Sequence, residues 1–121
     1  MTQIYSKTID GKNFQVLGES WETRNAWGHT GYLLRDGDEI SRSRVRYYNR
    51  TWESYRYQTA GENAVSVARE TAAARALDDY RERTGKKRLS AGVKSQVLEN
   101  DETVRAYDAI LEELRTQRRY M

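Results

Sequence analysis

Five arginines lie within one short stretch of the chain, where the only acidic residue is Glu53. They are Arg42, Arg44, Arg46, Arg50 and Arg56. A guanidinium group binds a carboxylate or a phosphate through two parallel hydrogen bonds, and it also stacks on aromatic rings. This stretch therefore predicts non-covalent binding of an acidic partner.

The spacing of the arginines indicates a β-strand with two unlike faces, because successive side chains of a strand point to opposite sides. One face carries Arg42, Arg44, Arg46, Tyr48 and Arg50, and the other carries Ser41, Ser43, Val45, Tyr47 and Asn49. Burying unpaired guanidinium groups costs on the order of several kcal/mol each. The arginine face is therefore expected to meet water or a ligand.

Residues 51 to 59 continue the alternating pattern, with Tyr55 and Tyr57 on one face and Trp52 and Arg56 on the other. If this segment pairs as an antiparallel neighbour, Trp52 and Arg56 join the arginine face. The predicted partner-binding residues are Arg42, Arg44, Arg46, Tyr48, Arg50, Trp52 and Arg56. Arginines interleaved with rings suit nucleic acid or an acidic protein that imitates it.

A second interpretation of the same residues stays open. Asp36, Asp38, Glu39 and Glu53 lie close in sequence, so cross-strand charge pairs can satisfy several arginines within the chain. The arginine face is then a solvated, self-paired surface and binds no partner.

Other kinds of chemistry find little support. The chain has no cysteine, which excludes disulfides, thiolate nucleophiles and zinc fingers. Its one histidine, His29, has no carboxylate or nucleophile at a recognisable catalytic spacing. The GKKR segment, residues 85 to 88, indicates a solvated turn and not a phosphate loop. We therefore expect a non-enzymatic protein without a cofactor or a metal.

Size and hydropathy indicate a single domain spanning residues 1 to 121, with a β part over 1–58 and a helical part over 59–121. The N-terminus lacks the apolar stretch of a secretory signal, and no window approaches the roughly 18 apolar residues of a membrane span. We expect a soluble, cytoplasmic protein without membrane contact. Its net charge is +3.

The first 58 residues predict a meander of strands. Asp10-Gly11 and Asp36-Gly37 are turn signals between apolar runs, which is typical of hairpins. Residues 18 to 28 have no clean period and predict a loop, in which Trp21 and Trp27 either pin the loop or stand exposed for contact.

Helical signals begin at Thr59. Thr59 and Glu62 have capping-box spacing, and Val65, Ala68, Ala72, Ala76 and Tyr80 form one helical face. Gly85 is expected to end this helix, Ser90 to cap a short second one, and Asp101 to cap a last one with Val104, Tyr107, Leu111 and Leu114 on one face. The predicted fold class is α+β, with an antiparallel sheet of three to five strands followed by two or three helices packed on one face.

The segment RVRYYNRTWESYRYQT resembles a stretch in small orphan proteins of bacteriophages and mobile elements, in which a strand ends in a Tyr-x-Asn-Arg-Thr-Trp-Glu pattern. The resemblance spans residues 28 to 60. Proteins from such sources include counter-defence factors, among them anti-CRISPR proteins, which occupy a nucleic-acid or assembly surface on a host effector. The resemblance implies a place in the cytoplasm of a bacterial host cell, and it transfers no functional residue.

Three functions follow as hypotheses. The leading one is a phage or mobile-element protein that inhibits a host nucleic-acid-handling defence complex, with a host protein or ribonucleoprotein as partner. The second is direct nucleic-acid binding by the same face. The third is a sponge for a small anionic nucleotide signal, held in a pocket made by oligomerisation.

Overall fold

The computed structural model describes residues 1–48 and 58–119, which form a four-stranded antiparallel sheet followed by three helices. The strands are β1 (Thr2–Ile9), β2 (Lys12–Glu22), β3 (Trp27–Arg35) and β4 (Asp38–Tyr47). The helices are α1 (Gln58–Thr84), α2 (Ala91–Asn100) and α3 (Glu102–Arg119). Within this part of the chain the strand order is β1-β2-β3-β4, so each strand pairs with its neighbour in sequence. The predicted α+β fold class is confirmed.

Two tight turns of the same kind join β1 to β2 and β3 to β4. Their central residues lie in the left-handed region, with φ of 50° and 77° at Asp10 and Gly11, and 51° and 87° at Asp36 and Gly37. This backbone matches the right-handed twist of the paired strands, which is why Asp-Gly was informative in the sequence. The Asp36 carboxylate also accepts a hydrogen bond from the Asn13 amide at 2.8 Å.

The loop predicted over residues 18 to 28 is wrong, because most of that segment belongs to strands. β2 runs on to Glu22 and β3 begins at Trp27. Residues 23–26 make the connection, in which the Thr23 amide donates to the Ala26 carbonyl at 2.8 Å. The alternation was hidden by Gly28, whose missing side chain leaves room for the Trp21 ring. A Cβ on Gly28 would lie 2.7 Å from that ring.

The start of α1 differs from the capping-box prediction. The helix begins at Gln58, so Thr59 already lies inside it. The strand pattern that was predicted to run to residue 59 is therefore wrong at residues 58 and 59. Residues 51 to 57 of that predicted strand lie outside the described part of the chain. The Glu62 carboxylate accepts a hydrogen bond from Arg118 of α3 at 2.9 Å. This acid therefore joins two helices.

The other helix ends agree with the local signals. Gly85 follows α1 with φ of 73°, and its amide donates to the Arg81 carbonyl at 2.8 Å. The Ser90 side chain accepts from the Val93 amide at 3.2 Å at the start of α2. At the start of α3 the Asp101 carboxylate accepts from Val104 at 2.9 Å. Each cap satisfies backbone groups that the helix leaves without a partner.

The core lies between one face of the sheet and the helices α1 and α3. It contains Tyr5, Phe14, Val16, Leu33, Val65, Ala68, Ala106, Tyr107, Ile110, Leu111 and Leu114. Phe14 of the sheet meets Tyr107 of α3 edge to face, with 5.9 Å between ring centroids. Gly31 lets α1 approach closely, since a Cβ there would lie 2.2 Å from the Ala60 backbone. None of the residues of α2 is buried.

Candidate functional site

The two faces of the sheet differ in what covers them. Residues directly opposite on paired strands share a face. Phe14, Val16, Leu33 and Ser41 share the face against the helices, and the Ser41 hydroxyl donates to the Ala64 carbonyl of α1 at 2.6 Å. The opposite face, named the open face here, has none of the described helices on it. From the strand register it carries Leu17, Glu19, Trp21, Thr30, Tyr32, Arg42, Arg44 and Arg46.

The predicted arginine row lies on the open face where the structure describes it. Arg42, Arg44 and Arg46 are exposed, whereas the alternating Ser43, Val45 and Tyr47 are partly covered on the other side. Neighbours in this row are spaced by about 6.6–6.8 Å along β4, twice the rise of one strand residue. The three guanidinium groups thus form a line along one strand.

Arg44 stacks on an aromatic ring of a different strand. Its guanidinium carbon lies 3.8 Å from the centroid of a Trp21 ring, and that of Arg46 lies 5.7 Å away. No carboxylate of the described residues lies within 4.0 Å of either guanidinium group. Stacking covers one face of the Arg44 plane and leaves its N–H groups for an outside acceptor.

Arg42 behaves differently, because it has an internal partner. It donates to both carboxylate oxygens of Glu39, the nearest at 2.8 Å, and its guanidinium lies 5.1 Å from the Tyr32 ring centroid. The hydrogen bond and charge of Glu39 raise the pKa of Arg42. The self-paired interpretation therefore describes Arg42, and it fails for Arg44 and Arg46 among the described residues.

Tyr32 and Glu19 complete the centre of the open face. The Tyr32 hydroxyl donates to the Glu19 carboxylate at 2.9 Å. Burial, and next the hydrogen bond and charge of Glu19, raise the pKa of Tyr32, so the phenol stays neutral at ordinary pH. Glu19 is consequently engaged by Tyr32 and does not pair with Arg44.

The remaining predicted site residues divide into two groups. Tyr48 directly follows β4 and is 73% exposed. Arg50, Trp52 and Arg56 lie outside the described residues, as does the acidic Glu53.

The two tryptophans left unassigned by the sequence lie on opposite faces of the sheet. Trp21 supports Arg44 on the open face, and Trp27 packs near His29 and Tyr47 on the other. The sequence analysis did not assign Trp21 to the site. Its position under Arg44 depends on the pairing of β2 with β3 and of β3 with β4. The alternation of β2, continued past Gly18, is the signal that would have placed it.

His29 is a packing residue in this arrangement. It is only 3% exposed, its ring meets those of Trp27 and Tyr47 at 5.8 and 6.1 Å, and its Nδ1 lies 3.1 Å from the Ser20 hydroxyl. Over residues 1–48 and 58–119, no group of three histidine, cysteine or acidic residues is placed to hold a metal ion. No helix in the described part of the chain has the length and apolar character to cross a membrane.

The fold and the open face define a small α+β protein with a basic, aromatic sheet surface. No family model, no curated protein and no solved structure matches the chain.

Proposed function

We propose that this protein is a non-enzymatic binding protein that docks the open face of its sheet onto an acidic surface of a partner protein. The Arg44 guanidinium carries the proposal, because it stacks on Trp21 and has no carboxylate partner among the described residues. Stacking restricts the side chain before binding, so less conformational entropy is lost when its N–H groups meet a carboxylate.

Carboxylates suit this face better than unstacked bases do. Proteins that bind single strands stack bases on aromatic rings. Here the Trp21 and Tyr32 rings lie beside the Arg44 and Arg42 guanidinium groups, so a base would have to displace an arginine. Carboxylates accept two parallel hydrogen bonds from a guanidinium edge and need no such displacement.

The resemblance of residues 28 to 60 to phage and mobile-element proteins supplies a setting for the proposal. In that setting the partner is a host nucleic-acid-handling defence complex, and docking inhibits it by covering a surface needed for assembly or for nucleic acid. Counter-defence proteins have no common fold. The resemblance therefore suggests a biological context and assigns no role to any residue.

The test is affinity capture from a nuclease-treated bacterial lysate with three forms of the protein. The first is the unchanged chain and the second carries Arg44→Glu and Arg46→Glu. The third carries Lys87→Glu and Arg119→Glu, two exposed positions away from the open face. Both double variants take the net charge from +3 to −1, so they differ only in where the charge changes.

We expect the unchanged chain and the Lys87/Arg119 variant to recover the same protein, and the Arg44/Arg46 variant to lose it. Recovery of no specific protein, or equal loss in both variants, would contradict the proposal. If capture instead requires intact nucleic acid, and gel-shift affinity falls steeply with salt, direct nucleic-acid binding replaces it.

A further inference from the structure

A groove of about 440 Å³ lies between the edge formed by β3 and β4 and the helices α1 and α3. This volume is in the range of small-molecule sites, roughly 300–1,000 Å³. The groove is separate from the Arg44 and Arg46 part of the open face, because neither residue lines it. Arg35, Arg75 and Tyr107 reach its wall from β3, α1 and α3.

The wall of the groove carries an excess of positive charge. Arg35, Arg42 and Arg75 line it, and Glu39 is the acid that lines it with them. Glu39 is already hydrogen-bonded to Arg42. No carboxylate of the described residues lies within 4.0 Å of Arg35 or Arg75, although Arg35 also borders a small crevice that Glu102 lines. Two guanidinium groups therefore remain for an anion.

Tyr107 adds a phenol to the same wall. The residue as a whole is 3% exposed, its ring packs against Phe14, and it lines the groove. Burial raises the pKa of Tyr107, while the charges of Arg35 and Arg75 act in the opposite direction. The phenol is therefore a neutral hydrogen-bond donor, and the positive charges of Arg35 and Arg75 act on its pKa.

We propose that this groove binds the phosphate group of a small phosphorylated ligand through Arg35, Arg75 and Tyr107. Guanidinium groups hold phosphate oxygens bidentately, and a neutral phenol can donate to a third oxygen. Ile40, Val67 and Ala72 form an apolar part of the wall, and Val67 is 46% exposed. These side chains suit the organic part of a phosphate monoester, such as a nucleoside monophosphate. The site goes beyond partner docking and does not depend on it.

Two-dimensional amide NMR titrations with AMP, adenosine and inorganic phosphate at constant ionic strength test this site. We expect AMP to bind saturably, with a dissociation constant at or below about 1 mM, and to shift amides around Arg35, Arg75 and Thr103. Adenosine should leave those amides unchanged. Inorganic phosphate binding as tightly as AMP would support the phosphate site and assign free phosphate as its ligand.

Three variants locate the binding. Arg75→Gln, at an exposed helix position that tolerates the change, should weaken AMP at least about tenfold, because it removes a charge-assisted contact. Tyr107→Phe keeps the ring against Phe14 and should weaken AMP about threefold to tenfold. Arg44→Gln should bind AMP like the unchanged chain, which separates this site from the open face.

Several results would overturn the inference. They are the absence of saturable AMP binding, equal affinity for adenosine and AMP, unchanged affinity in Arg75→Gln, and AMP-dependent shifts centred on Arg44. Loss of partner capture in the Arg44/Arg46 variant has no bearing on these titrations. The two proposals can therefore fail independently.

Discussion

At the scale of single residues, Gly31 controls how closely α1 approaches the sheet. A Cβ at this position would lie 2.2 Å from the carbonyl carbon and oxygen of Ala60, which are backbone atoms that cannot rotate away. We predict that Gly31→Ala lowers the free energy of unfolding by about 2–3 kcal/mol, because helix and sheet must move apart. Urea denaturation measures the change.

Gly92→Ala is the matched control for Gly31→Ala. Gly92 lies in α2, and a Cβ there meets no atom within 4 Å. We expect this variant to be as stable as the unchanged chain or more stable by up to about 0.5 kcal/mol, because alanine favours a helix over glycine. Equal stability of the two glycine variants would contradict the close packing of Gly31 against α1.

The open face shows which side-chain positions could be predicted from the sequence and which contacts could not. The alternation from Ser41 onward predicted the placement of Arg42, Arg44 and Arg46, because a strand has a period of two. It could not predict that Arg44 stacks on Trp21, since that contact depends on the register of three strands. The groove of Arg35, Arg75 and Tyr107 was missed for the same reason, as its residues come from three elements.

At the scale of elements, α1 and α3 are joined by a buried acid. Glu62 is 7% exposed, and its carboxylate meets Arg118 at 2.9 Å and Arg115 at 3.9 Å. The arginine side chains are 44% and 51% exposed, so they can return to water if the acid is removed. Removing both arginines instead leaves a buried charge without a partner, which is more costly.

We predict that removing the arginines and neutralising the glutamate lower the free energy of unfolding by unequal amounts. Arg115→Ala with Arg118→Ala should lower the free energy of unfolding by about 3 kcal/mol, whereas Glu62→Gln should lower it by about 1 kcal/mol. Urea denaturation at neutral pH measures both. An equal or smaller loss in the double arginine variant would show that the Glu62 carboxylate reaches water by itself.

A second contact joins α3 to the first strand of the sheet. Lys7 of β1 donates to the Glu113 carboxylate, and Tyr5 lies beside it. The hydrogen bond from Lys7, and after it the influence of the nearby Tyr5 hydroxyl, lowers the pKa of Glu113 below its ordinary value of 4.5. A lowered folded-state pKa means that the contact stabilises the fold above pH 4.5 and that this contribution is lost as the pH falls below it.

Glu113→Gln should therefore have a pH-dependent effect. At pH 7 we expect the variant to be less stable by no more than about 1 kcal/mol, since the Glu113 side chain is 41% exposed. The difference should shrink as the pH falls below 4.5. Glu112→Gln, at an exposed neighbouring position, should show no such trend in urea denaturation. A constant difference at all pH values would contradict the Glu113 assignment.

The elements themselves were predictable where short-range chemistry decides them. The Asp-Gly turns, the glycine after α1 and the caps Ser90 and Asp101 follow from backbone conformation and nearby hydrogen bonds. The start of α1 was misplaced, because Glu62 pairs with α3 and does not reach back toward Thr59. The β2–β3 hairpin was missed because Gly28 interrupts the alternation of side chains. A Cβ at this position would collide with the Trp21 ring and with the Val45 carbonyl, and the Val45 contact cannot be inferred from the local sequence.

At the scale of the whole molecule, burial is concentrated at one end of the helical layer. The buried residues of α1 all fall between Ala60 and Ala73, and α2 has none. The core joins the sheet to this first half of α1 and to α3. The C-terminal half of α1 and the helix α2 therefore depend on contacts that remain close to solvent.

This distribution predicts two levels of protection in native-state hydrogen exchange. Amides of α2 and of the last turns of α1 should exchange through local opening, at free energies well below that of global unfolding and with little dependence on urea. The β3 amides near Leu33, which is fully buried, should exchange only when the whole domain unfolds. Exchange measured by NMR over a urea series distinguishes the two. If α2 and β3 showed the same exchange free energy and the same urea dependence, the domain would unfold as a single cooperative unit. The half-buried Val93, Val97 and Leu98 would then be enough to couple α2 to the core.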